Sequence, residues 1–270
     1  MGWYSGKKLF ITGGSSGIGK CLALQAARDG ASVAIVARGQ ERLDAVLAEL
    51  NAIGGKHFAY ALDISDLTAC ETIVAQAISD LGGLDILINN AGVAHPGYID
   101  DLTDDIFVSM MNINYFGTVN VTRAALPHFK KQRSGHISMV SSVLGYMGVF
   151  GYTAYAASKF AVVGFAECLR QELLTFGVDV SVVYPADTDT PQFHYENEFK
   201  PAETAMLAGN IKAKQPEEVA AVTLRGIQNN QRHIVPGTMN KFIYSMTRHF
   251  PGVVSWFMDS DLKKFAKRAN

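Results

Sequence analysis

The chain has 270 residues, 48% of them hydrophobic, with 24 basic and 25 acidic side chains and a formal net charge of -1. That length and apolar content suffice for the core of one α/β domain. The near-neutral balance offers no bulk attraction for nucleic acid or an anionic membrane surface, so no nucleic-acid partner is expected.

Residues 1–8 lack the basic-then-apolar layout of a secretory signal, and Gly2 lacks the rest of a myristoylation pattern because position 6 is Gly. A cytoplasmic location is the expectation. Beyond them, short aliphatic and β-branched runs alternate with stretches of helical spacing. In chain order the runs predict strands over 8–12, 32–37, 57–62, 84–89, 135–141, 179–184 and 233–235. The intervening stretches predict helices over 18–29, 41–52, 67–81, 104–131, 155–176 and 216–229. Most of the strand runs are apolar throughout, as strands covered on both faces are. The pattern predicts a single α/β domain over 1–270: a doubly wound, seven-stranded, mostly parallel sheet with helices on both faces. Ligand binding is then expected beyond the C-terminal ends of the strands. The stretch 185–215 is polar and shows no clear strand, which suits a loop with short helices over a site mouth. A tail over 238–270 is apolar and aromatic and turns basic at Lys263, Lys264, Lys267 and Arg268.

After the first strand comes Thr12-Gly13-Gly14-Ser15-Ser16-Gly17-Ile18-Gly19. Gly13, Gly17 and Gly19 permit a tight turn and close backbone approach to a pyrophosphate, at a helix N-terminus with unpaired N–H groups. Read this way, the turn makes the domain Rossmann-type and puts Gly13, Ser15, Ser16, Gly17, Ile18 and Gly19 against a dinucleotide. A tight strand–helix turn that uses glycine for packing alone is the other reading. The second predicted strand ends at Arg38, with Arg42 one turn later, where an acidic residue would suit NAD. Guanidinium groups fit a phosphate, so the expected cofactor is NADPH/NADP, against a solvated arginine pair. Asp63, followed by Ile64, either accepts from the adenine amino group or caps a turn. Asn90, Ala91 and Gly92 end the fourth strand with small residues that let a cofactor lie on the backbone, or simply form a turn.

Tyr155 and Lys159 are four residues apart in a predicted helix, with Ser142 upstream. A free tyrosine titrates at about 10 and is a poor acid/base at neutral pH. Positions i and i+4 share a helix face, so the Lys159 ammonium is expected to lie beside the phenol and favour its ionised form. No metal is expected: the seven histidines show no HExxH spacing. Cys21, Cys70 and Cys168 are too dispersed for a disulfide framework or zinc site and are expected to be reduced and mostly packed.

The Gly-rich turn, Asn89-Asn90-Ala91-Gly92, Asn114, Ser142 and Tyr155-x3-Lys159 stand in the order and separation of the short-chain dehydrogenase/reductase family, which the chain resembles to about residue 235. The resemblance implies hydride delivery from NADPH to a carbonyl carbon, with Tyr155 handing a proton to the developing alkoxide. It implies that Ser142 steadies that oxygen, that Lys159 lowers the phenol pKa and bonds the nicotinamide ribose, and that Asn114 holds a reprotonating water. Asn112 is the rival for that last role. Ile64, Pro185 and Thr188 are likewise placed beside the cofactor.

Asp187-Thr188-Asp189-Thr190-Pro191 and Lys200-Pro201-x-Glu203-Thr204, with the Gly-rich start, resemble the 3-ketosphinganine reductase branch. That resemblance implies NADPH-dependent reduction of the 3-keto group of a long-chain amino ketone. A broader ketone, steroid or 3-oxoacyl reductase is the alternative within the family, and a non-catalytic NADPH-binding regulator the alternative outside it. The tail is expected to rest peripherally in a lipid interface, to contact a second subunit or to cover the substrate site. A homo-oligomer is expected.

Overall fold

Strands form where both faces of a short apolar run can be buried. In the computed structural model, which describes residues 2–209 and 212–269, these are β1 (Lys8–Thr12), β2 (Ser32–Ala37), β3 (His57–Ala61), β4 (Ile86–Asn89), β5 (Gly135–Val140), β6 (Val178–Val183) and β7 (His233–Ile234). Neighbouring side chains of β1 feed opposite cores. Phe10 joins Leu87, Phe129 and Leu173 on one side, whereas Leu9 and Ile11 join Leu22, Val33, Leu43 and Ile227 on the other. Truncating any of these to Ala costs roughly 2–5 kcal/mol.

The seven strands run in the order β3-β2-β1-β4-β5-β6-β7 and every pairing is parallel, so the sheet is wholly rather than mostly parallel. β1 pairs with both β2 and β4, Leu9 standing opposite Val33 and Ile86. The strand order therefore reverses between β1 and β4, which opens a crevice at their C-terminal ends.

Helices α1 (Gly17–Arg28), α2 (Gln40–Ile53) and α3 (Leu67–Leu81) follow the first three strands. The α3 limits match expectation because both ends carry local signals: Asp66 Oδ1 accepts from Ala69 N at 2.9 Å, and Gly82 takes φ +72. The expected helix over 104–131 is instead α4 (Asp104–Met110), a π-helical turn (Met111–Phe116) and α5 (Gly117–Gln132). Next comes α6 (Thr153–Leu173), tightening to a 3-10 turn at Leu174–Phe176.

The stretch 185–215 folds into α7 (Pro191–Phe199) and α8 (Ala202–Ala208), and α9 (Pro216–Gln228) leads to β7. The tail is helical, as α10 (Thr238–His249) and α11 (Pro251–Ala269). Asn240 docks α10: its Nδ2 donates to Tyr184 O at 2.7 Å and its Oδ1 accepts from Tyr146 Oη at 2.6 Å. Residues 210, 211 and 270, within the two stretches singled out in the sequence, and the side chain of Arg268 lie outside the described residues. Cys21 and Cys70 are buried and Cys168 is exposed.

Candidate active site

The crevice between β1 and β4 is closed at its base by threonine. Thr12 Oγ1 accepts from the N–H groups of Asn90 and Ala91, each at 2.9 Å, and Asn90 Nδ2 donates to Thr12 O at 3.0 Å. These bonds fix the chain after β4 against the Gly-rich turn. Gly13 and Gly17 take φ +68 and +52, which L side chains rarely adopt, and a Cβ on Gly13 would stand 2.9 Å from Ala91 Cα. Gly19 is needed for packing: its Cβ would fall 2.2 Å from Gly13 O. Ser16 precedes α1 without a side-chain cap, so the first-turn N–H groups of α1 are not capped by it and suit an anion.

A cleft of about 320 Å³ runs from this turn across the strand ends. It is lined by Gly13, Ser15, Ser16, Gly17, Ile18, Arg38, Arg42, Asp63, Ile64, Asn90, Ala91, Gly92, Ser142, Tyr155, Lys159, Pro185 and Thr188. Of the residues singled out in the sequence, Gly19 and Asn114 stand behind the lining rather than in it. Arg38 and Arg42 are both exposed on the cleft wall beyond β2. Asp63 makes the turn: its Oδ1 accepts from Ser65 N at 2.9 Å and Ser65 Oγ at 2.7 Å, and those bonds hold its carboxyl below the ordinary carboxylate value. The Gly-rich turn, bare helix end and arginines together fit a phosphate-bearing dinucleotide.

At the far end of the cleft, Ser142 follows β5 and caps a short 3-10 turn, its Oγ accepting from Leu144 N at 3.2 Å. Tyr155 and Lys159 enter from α6, only 7% and 4% exposed. Lys159 Nζ stands 5.6 Å from the centre of the Tyr155 ring and donates to Val140 O at 3.1 Å. A Cβ on Gly92 would lie 3.1 Å from both Lys159 Nζ and Asn114 Oδ1, so these two side chains meet at the Gly92 backbone.

Asn114 is buried on the π-helical turn, whereas its rival Asn112 is exposed. Asn114 Oδ1 accepts from Val93 N at 2.8 Å, and its Nδ2 donates to Val93 O and Ser158 Oγ, both at 2.9 Å. Ser158 Oγ in turn donates to Tyr155 O at 2.7 Å. Both amide N–H groups of Asn114 are thus used within the protein, so the water that the resemblance implies would be held through its oxygens.

The electrostatics also differ from the sequence expectation. Burial pushes the Tyr155 phenol above its ordinary value, and the charge of Glu196 adds to that, while the Ser142 hydroxyl and Gln192 amide act the other way. Burial brings the Lys159 ammonium down to about 8, partly opposed by Glu196. In this geometry the lysine is not the main determinant of the tyrosine's acidity. Desolvation is.

Among the residues lining this end, Tyr152 and Gln192 were not singled out in the sequence, and Glu196 was noted only as part of the specificity stretch after β6. Thr190 caps α7 by accepting from Phe193 N at 3.2 Å, with Pro191 in its first turn, and this start aims Gln192 and Glu196 inward at i and i+4. Tyr152 Oη donates to Glu196 Oε2 at 2.7 Å and Gln192 Nε2 to Glu196 Oε1 at 2.9 Å. The i, i+4 spacing of Gln192 and Glu196 was the available signal; what α7 packs against was not in it.

Known proteins resemble this chain over most of its length. The family model described as short chain dehydrogenase matches residues 7–201. The 3-dehydrosphinganine reductase of Danio rerio is 40% identical over 232 residues, 84% of this chain and 70% of that protein. The 3-ketodihydrosphingosine reductase of Bos taurus is 40% identical over 231 residues, 83% of this chain and 70% of that protein. A 3-oxoacyl-(acyl-carrier-protein) reductase of Thermotoga maritima is 36% identical over 220 residues, 81% of this chain and 89% of that protein.

Proposed function

Since the chain belongs to the short-chain dehydrogenase family, and so is an oxidoreductase with a nicotinamide cofactor, we propose that it reduces 3-ketosphinganine with NADPH. The observation that carries the reaction class is the convergence of Ser142, Tyr155 and Lys159 at one end of a crevice whose other end is a phosphate cradle. The lipid-like substrate is supported by relatives named 3-dehydrosphinganine and 3-ketodihydrosphingosine reductase at 40% identity. NADPH is supported by Arg38 and Arg42, which face the cleft where a ribose 2′-phosphate would need cations.

When bound, the cofactor supplies the hydride. Tyr155, protonated at neutral pH, donates its phenolic proton to the oxygen of the reduced carbonyl. Ser142 donates a hydrogen bond to that oxygen as negative charge develops on it. Lys159 would bond the nicotinamide ribose from beside Gly92, and Asn114 acts as a positioning residue that fixes the Gly92–Val93 backbone and, through Ser158, the Tyr155 turn of α6. Gly13, Ser15, Ser16, Gly17 and Ile18 would hold the pyrophosphate, with Asp63, Ile64, Asn90, Ala91, Pro185 and Thr188 lining the remainder of the cleft. The non-catalytic alternative lacks support, because Ser142, Tyr155 and Lys159 all line one cleft.

A broader 3-oxoacyl reductase is the second reading, favoured by the Thermotoga maritima relative. Loss of NADPH absorbance across a panel of ketones separates the two. Turnover of 3-ketosphinganine is expected; turnover of 3-oxoacyl thioesters with none of 3-ketosphinganine would replace the substrate assignment.

We also propose a cytoplasmic protein that touches membrane peripherally through its tail. On α10, at the Phe250 junction and on α11, Phe242, Phe250, Trp256 and Phe257 are exposed in the same stretch as the exposed Lys241, Arg248, Lys263 and Lys264. No helix among the described residues is long and apolar enough to cross a membrane. Val108, Phe116 and Phe160, exposed on α4, the π-helical turn and α6, support a homo-oligomer contact there. Co-sedimentation with anionic vesicles, lost in Trp256→Asp, tests the first. Sedimentation equilibrium of Phe160→Asp tests the second.

A further inference from the structure

Glu196 is a buried carboxyl group where a carbonyl reductase has no evident use for one. It is about nine-tenths buried and lines the same cleft as Ser142 and Tyr155. Its two oxygens accept from Tyr152 Oη and Gln192 Nε2, and among the described residues no cation forms an ion pair with it. The nearby Lys200, whose side chain is 9% exposed, pairs with Asp187 at 3.7 Å; its charge and the two hydrogen bonds favour the Glu196 anion, but burial outweighs them and pushes this carboxyl above its ordinary value. Burying a carboxylate with hydrogen bonds but no counter-ion is costly, and a glutamine could accept from Gln192 and donate to the Tyr152 hydroxyl without the charge.

The charge sits close to the reacting centre. The Tyr152 and Tyr155 rings are 5.9 Å apart, Tyr152 bonds Glu196, and the field of Glu196 reaches both Tyr155 and Lys159. Against the reaction itself this field is unhelpful, since it opposes negative charge growing on the carbonyl oxygen. A cation arriving with the substrate reverses that: it neutralises Glu196 just as the oxyanion forms.

We propose that Glu196, held by Tyr152 and Gln192, is the counter-ion for a substrate ammonium on the carbon next to the ketone, and so selects 2-amino ketones over neutral ones. The inference rests on the reading of 3-ketosphinganine as substrate and adds how that substrate is told apart from a plain 3-oxo lipid. In a 2-amino ketone the nitrogen and the carbonyl oxygen are three bonds apart. One end then reaches Ser142 and Tyr155 while the other turns to the α7 wall. A 3-oxoacyl thioester brings no cation and leaves Glu196 desolvated and unpaired, which disfavours it.

The test compares 3-ketosphinganine with the same chain lacking the amino group, in wild type, Glu196→Gln and Glu196→Asp, by steady-state NADPH consumption. For Glu196→Gln, KM for 3-ketosphinganine is expected to rise by about tenfold or more, with a smaller change in kcat. The amine-free ketone is expected to be reduced as well as before or better, which also shows that the variant is folded. Glu196→Asp should restore part of the preference. Equal losses on both ketones would mark Glu196 as a structural latch between α6 and α7, and unchanged kinetics would remove any role; either overturns the inference and leaves the substrate reading intact. Wild type that fails to reduce 3-ketosphinganine would overturn both.

Discussion

Lys159 Nζ donates to the Val140 carbonyl at 3.1 Å while standing 5.6 Å from the centre of the Tyr155 ring, so the lysine is anchored to the end of β5 rather than to the phenol four residues before it. Burial then dominates both groups, lifting the tyrosine and lowering the lysine to about 8 from the ordinary 10.5. A tyrosine is protonated at neutral pH without any shift, and raising its pKa makes it a weaker acid, so the driving force for donation comes from the more basic alkoxide that hydride transfer creates.

The buried ammonium weakens the cofactor-free protein. Between about pH 8 and 10.5 the unfolded chain binds the proton that the folded chain does not, so stability rises with pH through that window. Below it the penalty is complete, on the order of 3 kcal/mol at about 1.4 kcal/mol per pKa unit. Lys159→Met should therefore raise the cofactor-free Tm at pH 7 by several degrees while abolishing turnover, and the gain should shrink above pH 8. A lowered Tm at pH 7 would show that the Val140 bond outweighs the desolvation.

Cofactor choice is assigned to the arginines beyond β2. Arg38→Asp removes a cation and sets a carboxylate where a 2′-phosphate would sit, so KM for NADPH should rise by about 10- to 100-fold, with relative gain for NADH. An unaltered NADPH/NADH ratio would contradict the assignment.

Glycine at position 19 is required by backbone, not by a flexible neighbour. A Cβ there would meet Gly13 O at 2.2 Å, so Gly19→Ala should distort the cradle and weaken NADPH binding by about tenfold or more. A Cβ on Gly164, in α6, would meet nothing within 4 Å, and Gly164→Ala should leave binding alone and add about 0.5–1 kcal/mol of stability. Calorimetric titration of both variants checks the pair.

His136 on β5 is buried with Nε2 2.9 Å from Ser181 Oγ, and burial brings its pKa down to about 4 from 6.5. As pH falls through that interval the unfolded chain takes up a proton that the folded chain refuses, so stability is lost, by on the order of 3 kcal/mol at the acid end. Urea melts at pH 7 and pH 4.5 should show a smaller acid loss in His136→Asn than in wild type. An equal loss would place the acid sensitivity elsewhere.

Most of the scaffold was legible because its signals are local. β1 and β2 are apolar on both faces, and α3 carries its own start and stop at Asp66 and Gly82. The π-helical turn was not legible, because the wider turn at Asn114 depends on ties to Val93 and Ser158 from distant parts of the chain. The tail gave no helix prediction, since the residues that mark its composition, Phe242, Trp256 and Phe257, are exposed rather than arranged around a core. The cleft lining was largely readable from the Gly-rich turn and Tyr155-x3-Lys159. Tyr152 and Glu196 were not, because their meeting requires α7 to fold back over α6.

The most direct measurement is NADPH consumption on 3-ketosphinganine by wild type and Tyr155→Phe under identical conditions. Wild type should turn over, and Tyr155→Phe should lose about 10²- to 10⁴-fold in kcat while binding NADPH within a few-fold of wild type. Turnover retained in Tyr155→Phe would detach the chemistry from this cleft.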